Sequence, residues 1–583
     1  MKRIPIGADD FKSLILSCGY YVDKTRFIKD LFDTALLVKV QLFTRPRRFG
    51  KTLFLSLLKA FLEPNYKDKS DLSEHEKIFK DLDIFKDKEF CDEFMGKYPV
   101  ISLNLKEGYS TASYEDSLTR LKSAMSDCAT KLSFLNDLPL STYDRQSYES
   151  IKNNDFTVTS LRDSLKRLCY LVYQYVGVKP VVLVDEYDVP LSKVSDKDFY
   201  EKFKEDVAQL LGSALKDCEY VTKSVITGCL RIAKESIFSD FNNFSVNSVT
   251  STFFGQMFGF TKSEIDNLLS YYGFEKDFQT VKDWYDGYNM CGDEVYCPWD
   301  VVEYCYAKFN NSNTQPRAYW VNSGSYPYLK KVFDKNPLYY QDDFSTLLQG
   351  GSISFPYREE INYQMLESMD DPNLFWTLML HAGYVTPIDV NTVDSKLEIK
   401  IPNLCIKRCF EDLAKFYTSA SNPLFCSFVS SIVSNAFNGK ASDLEDQITE
   451  ALNIATSFFD FGKHTDQESY YHSFLSGCLV SFIDVEKTLY KSNFEVGNGR
   501  PDICFFNFAN DVDKTVGVLI EVKVAKSDAL LEEACQNAIK QIEDKKYYEG
   551  LFKQTKNLTK VNAYAIAFHA KSCKVVLKQF IRS

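Results

Sequence analysis

Ala35-Leu36-Leu37-Val38-Lys39-Val40-Gln41-Leu42-Phe43 runs directly into Thr44-Arg45-Pro46-Arg47-Arg48-Phe49-Gly50-Lys51-Thr52, and Leu53, Leu55, Leu57, Leu58 and Phe61 follow at helical spacing. An apolar run, a basic turn and an amphipathic segment read as strand, loop and helix. A phosphate-binding loop is spelled G-x-x-x-x-G-K-[ST], because glycines let backbone N–H groups turn toward phosphates, the lysine reaches the outer phosphates and the hydroxyl holds Mg2+. Gly50, Lys51 and Thr52 fit, whereas the first glycine position is Arg45. A solvated basic loop is the competing reading.

Working outward, Pro99 to Leu105, Pro180 to Val184 and Tyr220 to Thr227 are further short β-rich runs. Helical stretches at Ser160 to Tyr175 and Asp196 to Leu215 separate them, so a mostly parallel sheet covered on both faces is expected. Val181-Val182-Leu183-Val184 ends in Asp185-Glu186. That arrangement sets an Asp beside Mg2+ and a Glu where it can orient or deprotonate water. Arg231, downstream of the strand-end Thr227, is a candidate sensor of the outermost phosphate, with a salt-bridged surface arginine as the alternative.

The chain has 583 residues, enough at about 100–200 per domain for three to five folding units. Its 45% hydrophobic and 26% charged residues are those of a globular protein. Sixteen scattered cysteines without C-x-x-C spacing, and five histidines, read as reduced thiols rather than disulfides or zinc ligands. With no apolar leader at the N-terminus and no uncharged run of about 18–20 residues, a cytoplasmic protein away from membranes is expected. The net charge of −11 argues against a general nucleic-acid coat. From His464 onward, however, 16 Lys and Arg meet 15 Asp and Glu, which leaves −12 for the rest. Contact with DNA or RNA is therefore expected through the C-terminal part.

That part reads as an α/β unit of its own: β-like runs at Val485 to Glu495, Ile503 to Phe508 and Val516 to Val522, a helix at Ala529 to Lys546, and a last strand at Val561 to His569. Gly499-Arg500-Pro501-Asp502 enters one run and Ile520-Glu521-Val522-Lys523 closes another. Neighbouring strands would set Asp502 beside Glu521, with Lys523 on the same face as Glu521 because strand side chains repeat every two residues. Two such carboxylates can hold Mg2+, with Mn2+ as an alternative, and a lysine can polarise the water that attacks a phosphodiester. Charges that merely solvate a strand edge are the competing reading. His472, on an apolar helix face with Phe474 and Leu475, is expected to be a packed, hydrogen-bonded core histidine.

Several separate stretches share a resemblance: YYVDKT at 20–25, RPRRFGKT at 45–52, VDEYD at 184–188, TGCLRIAKESIF at 227–238, FGFT at 258–261, WYDGY at 284–288 and YCPWDVVEY at 296–304. In this order they resemble the bacterial AAA-ATPase-like family, in which an arginine-rich loop replaces the first glycine. The C-terminal Pro-Asp and Glu-x-Lys pattern resembles the PD-(D/E)XK nuclease superfamily, whose first-helix acid would be Glu468 and whose helix glutamine would be Gln541.

The expected architecture is α/β. A P-loop NTPase sheet occupies 1–255, a mainly helical lid or winged-helix-like domain 256–440, and a PD-(D/E)XK-like domain 441–583. ATP is expected at Arg48, Gly50, Lys51, Thr52, Asp185 and Arg231, with Mg2+ on Thr52 and Asp185 and Glu186 orienting water; the resemblance lays the family's phosphate-loop role on Lys51 and Thr52 and its acidic-strand role on Asp185 and Glu186. At the second site it implies metal on Glu468, Asp502 and Glu521, and catalysis by Glu521 and Lys523. A coupled ATPase and nuclease is the leading expectation. A nucleotide-controlled switch or scaffold that binds nucleic acid or protein without cleaving is the alternative, and a third is weak nucleotide binding because Arg45 lacks a glycine's backbone freedom. Assembly into an oligomer stays open.

Overall fold

The computed structural model describes residues 1–32, 38–106, 113–195, 197–216, 218–230, 244–251, 253–319, 340–359, 371, 373–390, 396–410, 423–456, 468, 471–472, 475–476, 479, 488–492, 499–507, 515–555 and 558–582. They form two compact units, one of residues 1–339 with 352–407 and one of residues 340–351 with 408–583. Most of the segment expected as a middle domain thus lies in the first unit. Among the described residues no helix is long and apolar enough to cross a membrane.

The first unit is built on a parallel sheet of β1 (Val40–Thr44), β2 (Val100–Asn104), β3 (Val181–Asp185), β4 (Lys223–Gly228) and β5 (Phe244–Asn247), in the order β2-β3-β4-β1-β5. Every residue of β1, β3 and β4 is buried, the reason β3 reads as an unbroken apolar run, Val181 to Val184, rather than an alternating one. Parallel pairing needs crossovers, and helices Tyr114–Lys131, Val158–Val176 and Tyr200–Leu215 supply them. The second of these starts at a reciprocal Thr157–Ser160 capping box and turns Leu161, Leu165, Leu168 and Val172 inward. The sheet order inserts β4 between β1 and β3. The basic loop after β1, Asp185-Glu186 after β3 and Thr227-Gly228 at the end of β4 therefore meet at one carboxyl edge, the edge where open α/β sheets bind ligands.

Helices Lys262–Tyr272, Phe278–Tyr285 and Pro298–Asn310 follow, with a hairpin of β6 (Tyr288–Met290) and β7 (Asp293–Val295). A small antiparallel sheet, β8 (Ile353–Pro356), β10 (Lys396–Lys400) and β9 (Thr386–Pro387), accompanies helix Asn373–Ala382. These short strands were not legible, because runs of two to five residues carry too few alternations to register a period of two. The aromatic cluster here is core: Tyr285, Tyr288, Tyr296 and Tyr304 are buried.

The second unit holds a mixed sheet of β11 (Thr488–Ser492), β12 (Ile503–Asn507), β13 (Thr515–Val524), β14 (Leu558–His569) and β15 (Ser572–Ile581), in that order. Only β13 and β14 pair in parallel. Helices Pro423–Asn438 and Ala441–Thr456 cover one face through Ile432, Leu444, Ile448 and Leu452. Helices Leu531–Asp544 and Tyr547–Gln554 cover the other through Cys535, Ile539, Ile542 and Leu551. The expected last strand is not the last: β15 pairs with β14 along ten residues after a tight turn at Ala570. Its Lys574, Lys578 and Gln579 disguise it, as polar residues commonly do on an edge strand.

Candidate functional site

Gly50 adopts a left-handed backbone (φ 89°) and, as a glycine, caps helix Lys51–Leu62 without a side-chain hydrogen bond, and among the described residues no side chain accepts from the N–H groups of that first turn. Such an end attracts anions through its free donors and the helix dipole. Arg48 is also left-handed (φ 71°), and the chain reverses through these two residues rather than through Arg45. Arg45 instead turns inward and is fully buried. Its guanidinium donates to the carbonyls of Thr44, Asn247 (2.7 Å) and Phe254 and to Cys291 Sγ. The strain expected at Arg45 is thus absent, and the arginine serves as a brace behind the loop.

Lys51 is buried, and its Nζ donates to Arg45 O (3.0 Å), Pro46 O (3.2 Å) and Cys229 Sγ (3.4 Å), with Glu186 Oε1 at 3.9 Å. Burial alone would push this ammonium down, yet Cys229, Glu186, Asp185 and Asp188 carry it up to about 12. Asp185 accepts from Thr52 Oγ1 (2.7 Å) on one oxygen and from Thr227 Oγ1 (2.5 Å) on the other. Burial and Glu186 raise its pKa, and the two threonines and Lys51 oppose them. Glu186 is held at φ 53°, an unfavourable backbone of the kind that clusters at working sites. Asp188 accepts from the N–H groups of Cys229 and Leu230, and Tyr187 donates to Leu230 O, which fixes the turn after β4. Arg231 lies outside the described residues.

Lys51, Thr52, Asp185 and Glu186 are therefore brought together. Thr227 and Cys229 join them, and only Thr227's place at a strand end signalled this. The donor set suits a polyphosphate with a hard cation: free helix N–H groups, a buried ammonium, and a hydroxyl beside a carboxylate.

In the second unit, β12 and β13 are antiparallel, with Ile503 opposite Ile520, so Asp502 and Glu521 sit at adjoining strand positions. Asp502 Oδ2 accepts from Val522 N at 2.7 Å, and His472 Nε2 lies 3.1 Å from Asp502 O. His472 is thus a packed, hydrogen-bonded histidine against the site strand. Glu521 is 1% exposed. Its Oε1 accepts from Gln541 and lies 3.4 Å from Lys523 Nζ, whereas its buried Oε2 has no partner among the described residues. Burial, then the neighbouring Asp502, pushes Glu521 up to about 8, against the pull of Lys523. Lys523 Nζ also donates to Glu468 Oε1 at 3.0 Å. Gln541 further reaches Tyr547 OH, which donates to Arg500 O. Among the described residues no three His, Cys, Asp or Glu side chains gather into a metal-holding group. Glu468 meets the two strand carboxylates through Lys523. The unpartnered Glu521 oxygen beside a second carboxylate nevertheless fits a hard cation, since Mg2+ commonly takes one or two carboxylates and fills its octahedron with water and phosphate oxygens.

Comparison with known proteins agrees with this division. Residues 5–238 match the family model described as a predicted AAA-ATPase. Residues 466–578 match that of the PD-(D/E)XK nuclease superfamily. The chain is also 24% identical over 416 residues to a protein of Azotobacter chroococcum mcd 1 named as an uncharacterized protein in the vnfD 5' region, covering 70% of this chain and 68% of that one. The basic loop and acidic strand end on the parallel sheet thus fall within the stretch similar to a predicted AAA-ATPase, and the Pro-Asp and Glu-x-Lys pair on the mixed sheet within the stretch similar to the PD-(D/E)XK nuclease superfamily.

Proposed function

We propose that the chain is a cytoplasmic ATP-binding ATPase coupled to a Mg2+-dependent nuclease that cuts nucleic-acid phosphodiesters. The observation that carries this reading recurs in both units: a pair of neighbouring carboxylates with a lysine against it. In the first, Lys51 lies against Glu186 and feels Asp185; in the second, Lys523 lies against Glu521 and feels Asp502.

At the first site the open end of the helix after Gly50 and the Lys51 ammonium receive the phosphates. Thr52 and Asp185 would hold Mg2+, which neutralises charge on the phosphates, and Glu186 orients the water. At the second, Asp502 and Glu521 would hold Mg2+, which supplies Lewis-acid activation when bound, with Glu468 at the margin. Lys523 positions the water and the scissile phosphate. Gln541 fixes the orientation of Glu521 through its amide, much as an outer-shell donor orients a ligand.

The test is cleavage of labelled single- and double-stranded DNA and RNA with Mg2+ or Mn2+, with and without ATP, by the full chain and by Asp502→Ala and Lys51→Ala. Loss of cleavage in Asp502→Ala, with loss of ATP dependence in Lys51→Ala, supports the coupled enzyme. A second reading, a nucleotide-controlled switch that binds without cutting, draws on the double ion pairing of Lys523 with Glu468 and Glu521, which occupies the would-be catalytic ammonium. Tight ATP binding without cleavage of any substrate would select it.

A further inference from the structure

The basic loop contains three arginines whose situations differ. The Arg45 guanidinium is spent on buried carbonyls. Arg48 is exposed, and among the described residues it donates no hydrogen bond. Its guanidinium instead lies over the Trp299 ring, 3.8 Å from the centroid. Trp299 sits in the first turn of helix Pro298–Asn310. Glu303, four residues further along that helix, feels the Arg48 charge and adds a second reason for the guanidinium to stay over it.

A guanidinium stacked on an aromatic face keeps its N–H donors in the guanidinium plane, so stacking leaves the bidentate fork available for a phosphate. The loop that carries it is pinned on either side. The Phe49 ring packs edge-on to Tyr288 at 5.0 Å, and Pro46 lies so close to Gly383 that a Cβ there would come within 2.8 Å of it. A left-handed backbone at Arg48, unfavourable for a side chain larger than glycine, is held in place by this packing.

We propose that Arg48 and Trp299 form a preorganised phosphate fork at the rim of the nucleotide loop, with Arg48 the group that touches the polyphosphate of a nucleoside triphosphate and Trp299 its positioning residue. The inference rests on the phosphate-loop reading and adds to it a residue some 250 positions away in the sequence. Rotamer freedom removed before binding is freedom that binding need not remove, so the ring contributes to affinity without touching the ligand.

Equilibrium dialysis of labelled ATP against the full chain tests this, using Arg48→Gln, Trp299→Ala, Trp299→Leu, Trp299→Phe and the double variant Arg48→Gln/Trp299→Ala. Arg48→Gln is expected to weaken binding about 10- to 100-fold, the range of a charge-assisted hydrogen bond to phosphate. Trp299→Ala and Trp299→Leu should each weaken it about three- to tenfold, and Trp299→Phe should restore most of the loss. In the Arg48→Gln background Trp299→Ala should change nothing further. Parental affinity in Trp299→Leu, or an equal loss from Trp299→Ala with and without Arg48, overturns the fork and leaves the loop reading standing. Absence of ATP binding by the parent chain overturns both. Trp299→Leu keeps the volume of an apolar side chain and removes the π face, so the test survives if Trp299→Ala does not fold.

Discussion

Thr52 Oγ1 donates to Asp185 Oδ2 at 2.7 Å while Thr227 Oγ1 donates to Oδ1 of the same carboxylate at 2.5 Å. One buried acid thereby joins the helix after the loop, β3 and β4. Neither bond is needed to complete the sheet, whose ladders are satisfied by backbone groups. Two hydroxyl donors offset part of the desolvation that raises Asp185, which keeps an ionisable oxygen site inside the protein.

Lys51→Ala should abolish ATP binding and also lower stability. The lysine is the cation against Glu186, and Asp185 and Asp188 also feel its charge. Removing one partner of a buried ion pair costs about 3–5 kcal/mol because the remaining charge is uncompensated. Calorimetric ATP titration and urea unfolding check the two parts. Nucleotide affinity equal to the parent would sink the assignment of the loop.

Arg45→Gly restores the usual first glycine and should nonetheless make the protein worse. The carbonyls of Asn247 and Phe254 would lose their donor, and a cavity would open where the side chain stood. An unsatisfied buried polar group costs about 1–3 kcal/mol before the cavity is counted. A lower melting temperature with no gain in ATP affinity is expected. Tighter ATP binding in a stable Arg45→Gly chain would show that the arginine does replace the glycine functionally.

Gly228→Ala probes the turn that binds β3 to β4. An added Cβ would lie 2.5 Å from the Tyr187 ring and 2.7 Å from Asp188 Oδ1, and the latter carboxylate accepts the N–H groups of Cys229 and Leu230. Overpacking of this kind costs about 1–3 kcal/mol. Urea unfolding should register it, together with weaker ATP binding as Cys229 moves from Lys51. A variant matching the parent in both would mean the turn is free to relax.

The strands that decide the fold were legible where burial on both faces makes a continuous apolar run: the parallel Val181–Asp185 and the antiparallel Ile503–Asn507 are readable from their composition alone. Asp502, Glu521 and Lys523 could be paired in advance because strand periodicity fixes which side chains share a face. Arg45 could not be placed. Its burial depends on acceptors at Asn247, Phe254 and Cys291, some two hundred residues away, and no local pattern encodes such a contact. Thr227 and Cys229 joined the site for a similar reason, since the order β3-β4-β1 is a property of the sheet. β15 escaped because its outward face is polar, and alternation on a half-exposed edge is easily taken for loop.

Glu521 makes the second unit sensitive to pH in a direction that can be worked out. In the folded, metal-free chain its carboxyl keeps a proton up to about 8, against an ordinary value of 4.5. The folded state thus binds more protons than the unfolded state between those values. The stability contributed by this group is full below about 4.5 and is lost as pH rises toward 8. Glu521→Gln, which imitates the protonated form, should remove that slope. Asp502→Asn should flatten it, because Asp502 is the second cause of the shift after burial. A divalent cation must displace the same proton, so Mg2+ or Mn2+ affinity should climb by up to about tenfold per pH unit until about pH 8 and then level off. Thermal melts in chelator at pH 5 to 9, paired with Mn2+ titrations over the same range, measure both curves. A parent chain whose stability and Mn2+ affinity are independent of pH would mean that Glu521 is ionised in the apo protein and that its partnerless oxygen is not waiting for a cation.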